Sequence, residues 1–182
     1  MKLLLHMCCG PCAVYPHKVL SIEHDITGLF YNPNIHPYTE YKKRLDTAQE
    51  FADKSNFKLI TIDEYNLDEF LRNAAFREEQ RCIMCYAERL ERTASVAKSG
   101  RFDAFSTTLL VSPFQKHDLI RKIGEEAGKK YGVDFLYKDF REGFKEGVEK
   151  SKKLGLYRQP YCGCIYSEKE RYCRQPKKEA IS

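Results

Sequence analysis

No stretch of this sequence approaches the roughly 18 consecutive apolar residues that a membrane-crossing helix needs, so no helical span is expected. The opening run Met1-Lys2-Leu3-Leu4-Leu5-His6 is too short for a secretory signal and reaches Cys8 at once. A cytoplasmic location is the expectation. A Gly-x-Gly-x-x-Gly fingerprint and a Walker sequence are both missing, so a nucleotide cofactor has no motif here. Internal repeats, low-complexity segments and an interdomain linker are missing too, and all 182 residues read as one domain, 1–182. No charge sign dominates: the net charge is +5, a mild excess compatible with a polyanionic partner and equally with a solvated mixed-charge surface.

Core-forming residues are plentiful, with 42% hydrophobic and 31% charged residues, ordinary for a globular chain. Eight cysteines are too many for packing alone. A disulfide framework belongs to small secreted chains, whereas clustered cysteines in a larger unsignalled chain point to metal or redox chemistry.

The chain alternates strands and helices. Apolar runs at Leu3–Met7, Ile26–Tyr31, Phe57–Ile62, Phe102–Thr107 and Val133–Tyr137 predict five strands. Helices are expected after Pro11, over Tyr38–Asn56, Leu67–Phe76, Cys82–Lys98, His117–Lys130 and Glu142–Leu154. This order predicts an α/β fold of three layers, Rossmann-like, with a roughly five-stranded parallel sheet. The tail from Gly155, taken as a metal- or redox-bearing segment at about 155–176, shows no helical or strand period. In such sheets the ligand site lies outside the carboxyl ends of the strands. The first cysteines fall there, and the Thr107–Pro113 loop reaches the same rim.

The cysteines form three sets and a single: Cys8-Cys9-Gly10-Pro11-Cys12, Cys82-Ile83-Met84-Cys85, Cys162-Gly163-Cys164, and Cys173. Cys82 and Cys85, at i and i+3 near a helix start, share one face, and the helix end favours their thiolates. Cys8 and Cys9 can complete a four-thiolate site, with Cys12 competing. Zinc would use Cys9, Cys12, Cys82 and Cys85 as two spaced pairs. That leaves Cys8, Cys162 and Cys164 unexplained, and an iron–sulfur cluster accepts irregular spacing. Both metals stay open on spacing alone. A disulfide across Cys162-Gly163-Cys164 would be strained and labile, suiting a redox couple; the pair could instead ligate a second metal, or be incidental. Cys173 reads as incidental.

Other residues carry double readings. His6 reads as structural. His36, between Ile35 and Pro37, is either a substrate contact or part of a rigid turn. Thr107, Thr108 and Ser112 offer hydroxyls to a ribose or phosphate, or act as caps. Tyr157-Arg158-Gln159-Pro160-Tyr161 has the aromatic and cationic make-up that holds splayed RNA bases, or else packs back on the domain. Lys150, Lys152 and Lys153 read as a solvated helix face.

Taken together, Cys8-Cys9-Gly10-Pro11-Cys12, Tyr31-Asn32-Pro33-Asn34-Ile35-His36-Pro37, Arg81-Cys82 with Cys85-Tyr86, Thr107-Thr108-Leu109-Leu110, Ser112-Pro113 and Tyr157-Arg158-Gln159 with Tyr161-Cys162-Gly163-Cys164 resemble the QueH family over residues 3 to about 167. The resemblance implies a fold similar to adenine nucleotide alpha-hydrolases, with their phosphate loop replaced by Cys8–Cys12. It implies an oxidoreductase that reduces epoxyqueuosine to queuosine at the wobble position of transfer RNA with a GUN-type anticodon, fed by an electron donor. It implies a 4Fe–4S cluster on Cys8, Cys9, Cys82 and Cys85, a redox-active pair at Cys162 and Cys164, and no cobalamin. A second iron on Cys12, Cys162 and Cys164 is compatible with it, as are substrate contacts from His36, Thr107, Thr108 and Arg158. Two rivals stay in view. An ATP-dependent tRNA-modifying enzyme on the same fold should carry a phosphate loop after the first strand, which this chain lacks. A zinc-binding RNA module leaves Cys162-Gly163-Cys164 without purpose.

Overall fold

A computed structural model of the chain describes residues 1–173. Five parallel strands form one sheet: β1 (Lys2–His6), β2 (Asp25–Phe30), β3 (Leu59–Thr61), β4 (Ala104–Thr107) and β5 (Asp134–Phe135), in the order β3-β2-β1-β4-β5. β1 is central. Leu3 pairs with Ile26 on one side and Ala104 on the other. Because both faces of β1 are covered, its sequence is continuously apolar rather than alternating. Leu3, Leu4 and Leu5 are fully buried, each burial contributing about 2 kcal/mol.

Seven α-helices are present among the described residues: α1 (Gly10–Leu20), α2 (Tyr38–Lys54), α3 (Leu67–Ala74), α4 (Arg81–Ser99), α5 (His117–Tyr131), α6 (Phe144–Lys153) and α7 (Ile165–Tyr172). α1 packs on α2 and α6, and α4 packs on α5. Alternate residues of β1 serve different clusters. Leu3 and Leu5 join Ala13, Val14, Leu45 and Phe51, whereas Leu4 joins Ala94, Ala97 and Ala127. The expected three-layer parallel fold is present. β3 and β5 are shorter than their apolar runs, which continue as flanking loop packed against the core. Two expectations change. The Thr107–Pro113 segment is mostly a fully buried 3-10 turn, Thr108–Val111. The tail, which lacks an apolar period, forms α7, an eight-residue helix with no buried residue. Residues 174–176 of the expected tail lie outside the described residues.

Strand order reverses direction between β1 and β4, and ligands of such sheets bind outside the carboxyl ends of the strands at this switch point. Gly10 shows how tightly α1 is seated there. A Cβ on Gly10 would lie 2.5 Å from the Thr47 carbonyl oxygen of α2, so the Cys8–Cys12 turn admits only glycine at this position. Among the described residues, no helix is long and apolar enough to cross a membrane.

Candidate metal and redox centre

β1 runs straight into the first cysteine set. Cys8 follows its last turn of backbone, Cys9 is the extended N-cap of α1, and Cys12 sits in the first turn of that helix. The three sulfurs lie within 4.8 Å of one another, with Cys8 and Cys9 3.9 Å apart. Among the described residues no other three metal-ligating side chains come so close. Cys8 is the most acidic thiol of the three. Hydrogen bonds from Cys12 and Cys9, and then from Thr108, outweigh burial and hold its pKa well below the ordinary thiol value. The partners respond in the opposite sense. Burial raises Cys9, and its bond to Cys8 raises Cys12.

Thr108 is shaped for this turn. Its Oγ1 accepts from the Cys8 amide at 3.2 Å and donates to the Cys8 Sγ at 3.5 Å. Gln159 Nε2 donates to Cys12 Sγ at 3.1 Å. Thr107, also buried, binds His6 Nδ1 at 2.9 Å and accepts from the Leu109 amide, so both threonine hydroxyls are engaged by protein rather than presented to a ribose.

The second set opens α4. Here the expected thiolate-favouring effect of the helix end does not prevail. Burial is the largest influence on both residues, raising Cys82 and pushing Cys85 up to about 12. Arg81 and Lys116 oppose the rise at Cys82, and Arg89 opposes it at Cys85. Arg89 Nη2 donates to Cys85 Sγ at 2.9 Å, and its Nε donates to the Cys85 carbonyl at 3.0 Å. Cys162 and Cys164 are within electrostatic reach of both thiols.

The third set is an exposed Cys162, Gly163, and a buried Cys164 that caps α7. Both cysteines are free thiols. Gly163 has φ +154°, a conformation closed to side chains. Cys162 Sγ accepts from Gln115 Nε2 at 3.2 Å.

Thus the structure gathers seven cysteines at one rim in two parts. Cys8 and Cys9 are joined by Cys12, while Cys82 and Cys85 have Cys162 and Cys164 as their sulfur neighbours. It does not bring Cys8, Cys9, Cys82 and Cys85 within a single ligating distance of one another. The eighth, Cys173, is exposed at the end of α7.

Sequence reasoning missed the residues that tie these parts together. Arg44 of α2 is 1% exposed. Its Nε binds Glu40 Oε1 at 2.7 Å, Nη1 donates to the Cys162 carbonyl at 2.7 Å, and Nη2 donates to the Tyr161 carbonyl at 2.9 Å. Glu40 Oε2 accepts from Tyr157 Oη at 2.6 Å. Cys9 and Cys8 lie within electrostatic reach of Arg44. The signal was available: Arg44 falls on the apolar stripe with Leu45 and Ala48, one turn after Glu40, and Arg89 continues the Cys82, Cys85 stripe at i+7.

Other expected site residues take supporting places. His36 is fully buried and faces the tail. Its amide donates to the Gly163 carbonyl at 2.8 Å and its Nδ1 accepts from the Ile165 amide at 3.3 Å. Burial alone lowers its pKa to about 4, so it is neutral near pH 7. Tyr157 and Tyr161 pack back on the domain through Glu40 and the His36 carbonyl, which leaves Arg158 and Pro160 as the exposed members of that segment.

A buried three-sulfur group beside two buried guanidiniums can hold a metal, because such cations compensate the charge of thiolates. Comparison with known proteins agrees with the cysteine pattern. A family profile described as "Epoxyqueuosine reductase QueH" matches residues 3–170. An epoxyqueuosine reductase QueH of Dehalococcoides mccartyi is 38% identical over 94% of this chain and 94% of its own. Another, from Thermotoga maritima, is 40% identical over 92% of this chain and 91% of its own. Among solved structures, a predicted subunit of tRNA methyltransferase from Methanocaldococcus jannaschii shares the fold with TM-score 0.51 at 12% identity, covering 84% of this chain and 76% of that one. Matched from the first strand into the last helix, with every cysteine set inside the match, this chain belongs to the QueH family of epoxyqueuosine reductases.

Proposed function

We propose that this chain reduces epoxyqueuosine at the wobble position of transfer RNA to queuosine. Opening the epoxide and expelling its oxygen as water consumes two electrons and two protons. The observation that carries this reading is the close Cys8, Cys9 and Cys12 group at the end of the central strand, within a chain of this family.

A 4Fe–4S cluster, held by Cys8, Cys9, Cys82 and Cys85 and working without cobalamin, would supply single electrons at this rim. Cys162 and Cys164 are the redox-active pair that makes up the two-electron count. Cys12 with Cys162 and Cys164 form the candidate set for a second iron. The chain's own residues do the positioning. Arg44 and Glu40 hold the Cys162 backbone, Thr108 fixes Cys8, and Gln115 and Gln159 donate to Cys162 and Cys12. The buried turn from Thr108 to Val111 and the His36 loop close this rim on the protein side, leaving Cys162 on the open side. The partner is an anticodon loop, where an unstacked base can enter a protein pocket. Lys116 and Arg81 act electrostatically on Cys82, and with Arg158 they face solvent at least in part.

Anaerobically purified protein is expected to be brown, with about four irons and four sulfides per chain as a cubane requires. It should convert epoxyqueuosine to queuosine in tRNA, read by nucleoside mass spectrometry with a chemical reductant. Cys82→Ala and Cys85→Ala should remove the colour. Stoichiometric zinc without sulfide, and no conversion, would replace this reading with a zinc-binding RNA module.

A further inference from the structure

Two arginines are buried at this centre, and their charges are treated differently. Arg44 is neutralised by Glu40 at 2.7 Å and saturated by two carbonyl oxygens. Arg89, 2% exposed, has no carboxylate within 4.0 Å among the described residues. Its partners are the Cys85 sulfur at 2.9 Å, the Cys85 carbonyl at 3.0 Å and the face of Tyr86 at 5.8 Å. Beyond Cys85, the groups that favour its charge are Cys162, Cys8 and Tyr86. Removing a guanidinium from water costs several kcal/mol unless an anion meets it. A neutral thiol and a carbonyl do not supply that anion.

The placement is systematic. Cys82, Cys85 and Arg89 stand at i, i+3 and i+7 on α4, so the helix aims two ligand-type sulfurs and one cation at the same spot. Arg89 is also among the charges acting on His6 at the end of β1. It therefore sits between the two cysteine parts rather than outside one of them.

We propose that Arg89 is the fixed counter-ion of an anionic thiolate–metal group, a positioning residue that compensates the charge gathered on Cys85 and Cys8 and raises the reduction potential of that group. This rests on the metal-centre reading of the proposed function. The physics is direct. Reduction adds negative charge, and a dehydrated cation donating to a ligand sulfur stabilises the reduced form more than the oxidised form. In metal-free protein the same cation has a single thiol, Cys85, and no carboxylate as its side-chain hydrogen-bond partner, and is a burden on the fold.

The test compares wild type, Arg89→Lys and Arg89→Met, each purified anaerobically and also stripped of metal. Three quantities are read: iron and sulfide content, the midpoint potential from an EPR-monitored titration, and the melting temperature with and without metal. Arg89→Met should shift the midpoint to more negative potential, while Arg89→Lys stays nearer wild type. Metal-free Arg89→Met should melt at the wild-type temperature or above it, and the stabilisation gained on metal loading should shrink. An unchanged midpoint in loaded Arg89→Met overturns the proposal. So does metal-free Arg89→Met that melts well below metal-free wild type, because Arg89 is then a structural prop. This second reading applies even where Arg89→Met takes up no metal. Wild type without iron or sulfide would instead sink the metal-centre reading, an outcome separate from either result on Arg89.

Discussion

The His36 amide donates to the Gly163 carbonyl at 2.8 Å, joining the loop after β2 to the hinge of the Cys162–Cys164 element. The His36 carbonyl also accepts from Tyr161 Oη, and its Nδ1 accepts from the Ile165 amide. One buried histidine thus clamps both sides of the two cysteines. At Gly163 a Cβ would lie 3.2 Å from Ile35 Cγ1 and 3.3 Å from Arg44 Nη1, on a backbone with φ +154°. Gly163→Ala should therefore fold on an intact sheet but lose roughly 1–3 kcal/mol. It should lose tRNA reduction more than it loses stability, as checked by urea unfolding beside a turnover assay. Full activity in that variant would show that the clamp geometry is irrelevant to turnover.

Cys162→Ser and Cys164→Ser should fold and keep the brown colour, because among the described residues the tail adds only Leu156 and Cys164 to the buried hydrophobic set. Both should fail to reduce epoxyqueuosine in single and multiple turnover, since serine is a poor substitute for a thiolate. Cys173→Ser, at an exposed position, should behave as wild type. A double variant at 162 and 164 with full multiple-turnover activity would remove the pair from the reaction. Loss of colour in either single variant would make that residue a cluster ligand.

His36 also predicts a pH response. Its folded pKa is about 4, lowered by burial, against 6.5 for an unburied imidazole. Above pH 6.5 both folded and unfolded states are neutral at this residue and it contributes no slope. Between pH 6.5 and about 4 the unfolded state takes a proton that the folded state refuses, so stability falls as pH falls. Replacing His36 with Asn should flatten that part of the melting-temperature profile relative to wild type. An identical slope in the two proteins would contradict the assignment.

Binding to an anticodon stem-loop should weaken steadily with salt, because phosphate contacts release counterions. Arg158 is exposed next to the tail clamp. Arg158→Ala should weaken binding to all sequences alike and reduce the salt slope by about 1. Salt-insensitive binding in a filter or anisotropy assay would exclude a phosphate-led interface.

Much of this architecture is legible in the sequence because it is written locally. Leu3-Leu4-Leu5, cut off by Gly10-Pro11, fits a strand covered on both faces, and Cys82 with Cys85 at i and i+3 share a helix face. What was not legible depends on partners far away in the chain. Arg44 looks like a surface cation until the carbonyls of Tyr161 and Cys162 arrive. Tyr157 and Tyr161 look like base-stacking residues until Glu40 and the His36 carbonyl claim their hydroxyls. The start of α4 favours a Cys85 thiolate, but burial at that site outweighs it. α7 escaped notice because it buries no residue and so leaves no apolar period.

β1 is made first but its second edge is paired late. Its residues pair with β2 within about two dozen positions, but its other edge waits for Ala104 to Thr107. The sulfurs are spread in the same way, at 8–12, 82–85 and 162–164. A chain emerging from the ribosome therefore exposes Cys8, Cys9 and Cys12 long before Arg89, Gln115 or the tail exists to enclose them. Long-range parallel pairing of this kind is slow to form. On the proposed metal-centre reading, faithful loading is then an event of the completed chain, and the half-built intermediate is the stage at which oxygen or a wrong ion has its opportunity.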